Sequence, residues 1–225
     1  MSHGTDAYLP GEPQKNDALF LYGACQKKPF VYAYSQQDIE VVYGPACKPE
    51  REIYLQRCKD HKIPVRRRRG GGGTVVLSPG MVVTIVVGRR QGDEMATSIF
   101  SRIHSALIEV LGLNPEKVRE KGISDLAIGE RKILGSSLYL SRKPPYFYYQ
   151  SSLMVCPDMS LISNLLTHPP KEPDYRQGRP HDSFCTCLNH EGIGVQTNRV
   201  TQMINRKLTS VLLEREELRK ISRGG

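Results

Sequence analysis

The chain has 225 residues, 32 lysines and arginines against 23 aspartates and glutamates, and a formal net charge of +9. With 39% hydrophobic and 24% charged residues, it suits a soluble globular protein able to build a core without metal or disulfide staples. No apolar run approaches the roughly 20 residues a membrane helix needs, so no membrane partner is expected. The polar, Pro- and Gly-rich start (Met1 to Pro13) does not read as a signal peptide. Cys25, Cys47, Cys58, Cys156, Cys185 and Cys187 read as free thiols in a reducing compartment, and a cytoplasmic location is expected. The positive charge favours acidic partners, a condition that nucleic acid, a nucleotide, an acidic protein and a membrane surface all meet.

Residues 1–15 read as a flexible N-terminal arm and 16–225 as one domain. Asn16 to Gln26 suits a short helix. Phe30 to Tyr34 and Ile39 to Gly44 read as strands with a polar turn, Ser35 to Asp38, between them. Lys48 to Lys62 reads as a helix stopped before Pro64. Thr74 to Leu77, then Ser78-Pro79-Gly80, then Met81 to Val87 reads as strand, tight turn, strand. Met95, Ile99, Ile103, Leu107 and Val110 recur at helical spacing. Asp125 to Ile128 and Lys132 to Leu138 flank a short turn, and Tyr146 to Val155 forms another strand. Met159 to Leu166 is a short helix, Pro169 to Pro180 an extended surface loop, and Val200 to Ile221 a helix with one charged face.

Two segments invite a chemical reading. Arg66-Arg67-Arg68-Arg69 runs into Gly70-Gly71-Gly72-Gly73 and then a strand. Glycine backbone can approach a ligand closely and point N–H groups at phosphate, while arginine forks grip phosphate or carboxylate. An anion site, a solvated basic loop and a nucleic-acid patch all fit these residues. The second segment runs from Ser124-Asp125 through Gly129 to Lys132, Gly135, Ser136 and Ser137. Its lysine can present an ammonium to an anionic substrate, with Asp125 orienting it or holding a metal; a plain surface ion pair is the simpler alternative. His181, Cys185, Cys187 and His190 lie within ten residues, but Cys-x-Cys is tighter than zinc sites prefer. They read as free thiols on a strand.

Together the two segments resemble the lipoate–protein ligases. The matching stretches are Arg67-Arg68-Arg69-Gly70-Gly71-Gly72-Gly73-Thr74-Val75 and Ser124-Asp125 with Lys132-Ile133-Leu134-Gly135-Ser136-Ser137. Val41-Val42-Tyr43-Gly44 is similar to a third family segment. The resemblance implies an α/β (α+β) catalytic domain with a mixed, largely antiparallel sheet flanked by helices. It implies ATP-dependent formation of lipoyl-adenylate, followed by transfer of the lipoyl group to a lysine of an acidic lipoyl-domain carrier. By the resemblance, Lys132 is the catalytic residue. Arg67, Arg68, Arg69, Gly71, Gly72, Gly73, Thr74, Gly44, Asp125, Gly135, Ser136 and Ser137 bind substrate or nucleotide, with Asp125 near Mg²⁺. The small-molecule substrate is lipoate or octanoate, and nucleic acid is not the expected partner.

The sequence departs from the family pattern at Pro45, Arg69-Gly70, Leu77, Met81 and Tyr148-Tyr149-Gln150. Those departures raise an altered acyl substrate, an altered carrier or loss of adenylation. No C-terminal accessory domain is expected, so a second polypeptide supplies it or this subtype acts without one. The alternatives are an ATP-independent octanoyl or lipoyl transferase using Cys156, Cys185 or Cys187, and a basic binding module without catalysis. Biotin ligases share the implied fold but carry a different glycine and arginine loop.

Overall fold

Among the described residues nine strands form two sheets, and one strand, apolar on both faces, demands partners on either side. The computed structural model describes residues 14–90 and 94–223. A 3-10 turn at Lys15–Asp17 leads into α1 (Ala18–Ala24), followed by β1 (Phe30–Ser35) and β2 (Glu40–Tyr43). Next come α2 (Pro49–Glu52), α3 (Leu55–Asp60), β3 (Val65–Arg67), β4 (Val75–Leu77) and β5 (Met81–Arg89). α4 (Ala96–Val110) precedes β6 (Val118–Lys121), β7 (Asp125–Ile128), β8 (Arg131–Leu140) and β9 (Tyr146–Met154). α5 (Ser160–Leu165), α6 (His181–Phe184) and α7 (Thr197–Arg223) complete the order. The arm expected over residues 1–15 lies outside the described residues as far as residue 13. Gln14 is buried, and its N–H donates to the Arg67 carbonyl at 2.9 Å.

The larger sheet has the order β1-β5-β9-β8-β7-β6, antiparallel throughout. The smaller sheet is β3-β2-β4, with β2 parallel to β3 and antiparallel to β4. This is the mixed, largely antiparallel arrangement that the resemblance implies. In β5 the first eight residues, Met81 to Gly88, are buried, so the strand belongs between β1 and β9 with both faces covered. A hairpin with the three-residue β4 would leave it half bare. The Ser78-Pro79-Gly80 turn therefore carries the chain from one sheet to the other. Gly80, at φ +90°, lies against Cys156, and its carbonyl accepts from the Val155 and Cys156 N–H groups. For the same reason β1 and β2 are not a hairpin: β1 pairs with β5, and β2 joins the small sheet.

One face of the larger sheet packs against α4 and α7. Ile99, Ile103 and Leu107 of α4 meet Phe147, Tyr149 and Leu153 of β9, with Val200, Ile204, Leu208 and Leu212 of α7. At about 1.5–3 kcal/mol for each large apolar side chain buried, this layer supplies much of the stability. Asn205 of α7 bonds both backbone groups of Ala33 at 2.8 Å, covering part of the edge strand β1. The opposite face packs against the small sheet, α1 and α5 through Tyr148, Met154, Val83, Ile85, Val41, Phe20 and Ile162.

Three further elements differ from the sequence reading. The helix expected over residues 48–62 breaks at Ile53, which forms a bridge with Leu166. β6 is an added edge strand; its Arg119-Glu120-Lys121 carries no apolar alternation to betray it. The strand expected around Phe184 to Leu188 is instead the short helix α6 and a single parallel bridge from Cys185 to Lys132. Among the described residues, no helix is long and apolar enough to cross a membrane.

Candidate active site

The arginine run separates by strand geometry. Arg67 lies exposed on β3, and Arg69 is exposed, with its guanidinium over the rings of Phe20 and Tyr139 at 5.5 and 5.2 Å. Arg68 alone turns inward, to 6% exposure. Its guanidinium donates to the carbonyls of Val42 at 3.3 Å, Gly71 at 2.9 Å and Gly73 at 2.7 Å. Burial lowers its pKa to about 10, which leaves it charged at neutral pH. Arg68 thus folds the glycine loop around itself, and its Nε remains without a partner.

The loop needs glycine at two points above the others. Gly72 sits at φ +97°, a conformation L side chains rarely adopt. A Cβ on Gly44 would fall 2.2 Å from the Gly72 carbonyl oxygen, so the loop closes onto β2 only because Gly44 has no side chain. The base of the loop is fixed by Thr74, whose hydroxyl donates to buried Glu52 at 2.7 Å. At its other end the Gly71 N–H donates to Leu138 at 3.2 Å.

Facing this loop, the β7–β8 hairpin presents Lys132. Its ammonium lies 2.8 Å from Asp125 Oδ1, and the Tyr175 hydroxyl donates to Oδ2 at 2.9 Å. Gly135 makes the room: a Cβ there would stand 2.7 Å from Lys132 Nζ. The Lys132 backbone is held too, its carbonyl accepting from Thr186 at 2.9 Å. Tyr175 comes from the segment read as a plain surface loop, which contains a 3-10 turn at Asp174–Arg176 with Arg176 buried. Burial and the Asp125 carboxylate both push the Tyr175 hydroxyl pKa upward, so this group stays a donor.

The two serines beyond Gly135 diverge. Ser137 faces the loop, next to Gly70. Ser136 points to the helix side, where it donates to the Ser124 carbonyl at 2.7 Å and meets His104 Nε2 at 3.1 Å. Since the serine hydrogen is committed to Ser124, His104 donates through Nε2–H, and its Nδ1 makes no hydrogen bond, the Glu120 carboxylate standing 3.9 Å away. Burial lowers the His104 pKa to about 4, so the ring is neutral. Sequence periodicity places His104 on the buried face of α4 beside Ile103 and Leu107, but nothing local marks its link to Ser136.

A cavity of about 120 Å³ opens between the sheets, lined by Val42, Val75, Leu77 and Val83 on its apolar side. Arg68, Gly72, Gly73, Asp125, Lys132, Gly135, Ser136 and Ser137 also border it. A second, of about 80 Å³, adjoins it, sharing Val75, Lys132, Gly135 and Ser152 and bounded by Thr74, Met81, Met154, Phe184 and Cys185. Lys132 therefore stands at the junction of two chambers. Of the residues singled out by sequence, Arg67, Arg69, Gly71 and Gly44 border neither chamber.

The family model for the lipoyl protein ligase A/B catalytic domain matches residues 17–209. The chain belongs to that family. Its fold is similar to a bi-partite lipoate protein ligase of an archaeal lipoylation system from Thermoplasma acidophilum, at TM-score 0.70 and 23% identity over 90% of this chain and 81% of that one. It is also similar to a protein from T. acidophilum solved with bound lipoic acid, at 0.69 and 20% over 91% and 83%. A third similar structure is lipoate-protein ligase A bound with ATP, at 0.68 and 21% over 90% and 83%. A search by sequence among curated proteins found no match.

Within this lipoyl ligase A/B domain, the departures from the family pattern fall at different depths. Leu77 lines the first chamber and Met81 the second, whereas Pro45 is exposed. Tyr149 is fully buried on the helix face, so Gln150 is the residue of that trio that reaches the cavity. The three cysteines weighed as nucleophiles also separate. Cys187 is sealed in the core, and Cys156 is exposed and borders neither chamber. Cys185 lines the second chamber, where burial raises its thiol pKa despite nearby Lys132 and Arg176.

Proposed function

We propose that the chain is an ATP-dependent lipoate–protein ligase that forms lipoyl-adenylate and transfers the lipoyl group to a lysine of a carrier domain. The observation that carries this reading is the position of Lys132, at the junction of an apolar-sided chamber and a second chamber. The acyl chain would occupy the first, with its carboxylate at the ammonium. That carboxylate attacks the α-phosphorus of ATP, pyrophosphate leaves, and negative charge gathers on oxygens within reach of Lys132. A positioned cation there stabilises the transition state more than the ground state. In the second step the carrier amine attacks the acyl carbonyl and AMP departs, with charge developing at the same place.

Asp125 and Tyr175 hold the ammonium in its aim, and Gly135 lets it fold back over the strand. Among the described residues no three His, Cys, Asp or Glu side chains converge on a metal position. An ion such as Mg²⁺ would take one ligand from Asp125, whose oxygens each keep a free lone pair, and the rest from nucleotide phosphates and water. It would supply charge neutralisation of those phosphates. The +9 charge suits an acidic carrier, and the likeness to a bi-partite ligase supports a requirement for a second polypeptide.

A second reading, acyl transfer through a cysteine without ATP, draws on Cys185 beside Lys132. Intact-mass analysis of a lipoyl domain separates them. With ATP, Mg²⁺ and lipoate, with and without an accessory polypeptide, a gain of one lipoyl group that vanishes without ATP is expected. A gain only from a pre-acylated donor, and without ATP, makes the transferase correct. No gain in any arm leaves a binding module.

A further inference from the structure

The second chamber has a charge pattern that the first lacks. Lys132 and Arg176 both border it, and no aspartate or glutamate among the described residues does, whereas Asp125 borders the first. The rest of its wall is largely apolar, with Val76, Met81, Met154, Ile162, Leu166 and Phe184. His181 also borders it but adds no charge. Its Nε2–H donates to the Thr167 carbonyl at 3.0 Å, and burial lowers its pKa. Two cations among apolar side chains suit a ligand that carries an anionic group on an apolar body.

Arg176 closes the 3-10 turn Asp174–Arg176, in which Tyr175 goes to Asp125 instead. It is 4% exposed, and one edge of its guanidinium is firmly held. Nε donates to the Arg179 carbonyl at 2.9 Å and lies 3.3 Å from Glu172 Oε2. Nη2 meets His181 Nδ1 at 3.4 Å, and the guanidinium carbon stands 4.7 Å from the centre of the Phe184 ring. Nη1 makes no hydrogen bond among the described residues and, unlike Arg68 Nε, is not sealed from solvent. Arg68, by contrast, commits both Nη groups to backbone carbonyls. Arg176 is thus anchored by one edge and keeps a charged donor free on the other.

We propose that Arg176 is a phosphate-binding residue, and that the second chamber holds a nucleotide phosphate between Arg176 and Lys132 with the nucleoside on the apolar wall. Lys132 then serves the acyl carboxylate and the phosphate, while Arg176 serves the phosphate alone. The inference rests on the ATP-dependent reading and names a residue that reading leaves unassigned. AMP, adenosine and octanoate are titrated calorimetrically into the full chain, Arg176→Met and Arg176→Lys. Methionine keeps length and contact with Phe184 but no charge. The parent is expected to bind AMP about a hundredfold more tightly than adenosine, through two charge-assisted contacts. Arg176→Met is expected to reduce that preference about tenfold, with adenosine and octanoate affinities nearly unchanged, and Arg176→Lys to recover part of it. Equal binding of AMP and adenosine by the parent overturns the phosphate site, whatever the variants do. An undiminished preference in folded Arg176→Met overturns the assignment to Arg176. So does equal loss of all three ligands in both variants, which would make Arg176 a strut of its loop. Binding of neither AMP nor adenosine by the parent overturns the nucleotide's place in this chamber. Lipoate-dependent exchange of labelled pyrophosphate into ATP, run on the parent alongside, separates that failure from failure of the ATP-dependent reading.

Discussion

The two faces of the six-stranded sheet carry polar groups with opposite fates, although the same hairpin delivers both. On the helix side, half-buried Ser136 meets His104, which is sealed under α4 with its imidazole neutral. On the cavity side, Lys132 and Asp125 meet at 2.8 Å at the mouth of two chambers. Burial outweighs the Glu120 carboxylate 3.9 Å from Nδ1 and leaves His104 a neutral structural donor. Lys132, partly exposed beside its carboxylate, stays open to both chambers. A β-bulge in the β7–β8 pairing at Leu126/Ala127 interrupts the alternation of β8, so that Lys132 and Ser136, four residues apart, go to opposite faces.

The largest expected effect comes from breaking the open face. Lys132→Ala should lower the rate of carrier acylation about 10²- to 10³-fold, the scale for removing one positioned electrostatic stabiliser. Its circular dichroism and melting temperature should stay close to those of the parent chain. A loss of activity with collapse of the fold would instead make Lys132 structural.

The sealed face should respond to pH. His104 has a folded pKa of about 4 against an unfolded 6.5, so the unfolded chain binds the extra proton between those values. Its contribution is fully present above pH 6.5 and is lost as pH falls toward 4, by about 3 kcal/mol in total. Denaturant melts across that range should show the loss, and His104→Gln should flatten the slope there. An unchanged slope in the variant would reassign the acid sensitivity to other groups.

Smaller effects sharpen the comparison at glycines. Gly44→Ala drives a Cβ into the Gly72 carbonyl and should cost about 1–3 kcal/mol of stability, as overpacking does, together with ligand affinity. Gly135→Ala meets only the movable end of Lys132. It should leave the melting temperature nearly unchanged while lowering activity about tenfold, near the low end of the range for a misdirected charge. Gly71→Ala enters open space without a positive φ and should change stability by no more than about 0.5–1 kcal/mol. Equal losses in all three would contradict the division of roles among these glycines.

Local pattern made β5, α4, the β7–β8 hairpin, β9 and α7 legible: β5 and β9 are strand-length runs rich in β-branched or aromatic residues, α4 and α7 repeat apolar residues at helical spacing, and Gly129 marks the hairpin turn. It did not reveal the pairing of β1 with β5 or of β2 with β4, since partners depend on which strand must be covered on both faces. At the site, Lys132, Asp125, Gly135 and the glycine loop were visible as motif. Four consecutive arginines look alike in sequence, and only the turn out of β3 directs Arg68 inward and leaves Arg69 on the aromatic rings. Tyr175 and Gln14 were hidden because each reaches the site from a segment with no chemical signature of its own, and His104 because it meets Ser136 from behind the sheet.

The measurement that tests the central claim most directly is lipoate-dependent exchange of labelled pyrophosphate into ATP, with the parent chain and Lys132→Ala, alone and with any accessory polypeptide. Activation at the Lys132 junction predicts exchange that requires lipoate and falls at least about a hundredfold in the variant. Carrier acylation without any exchange, or exchange unaffected by loss of Lys132, would contradict it.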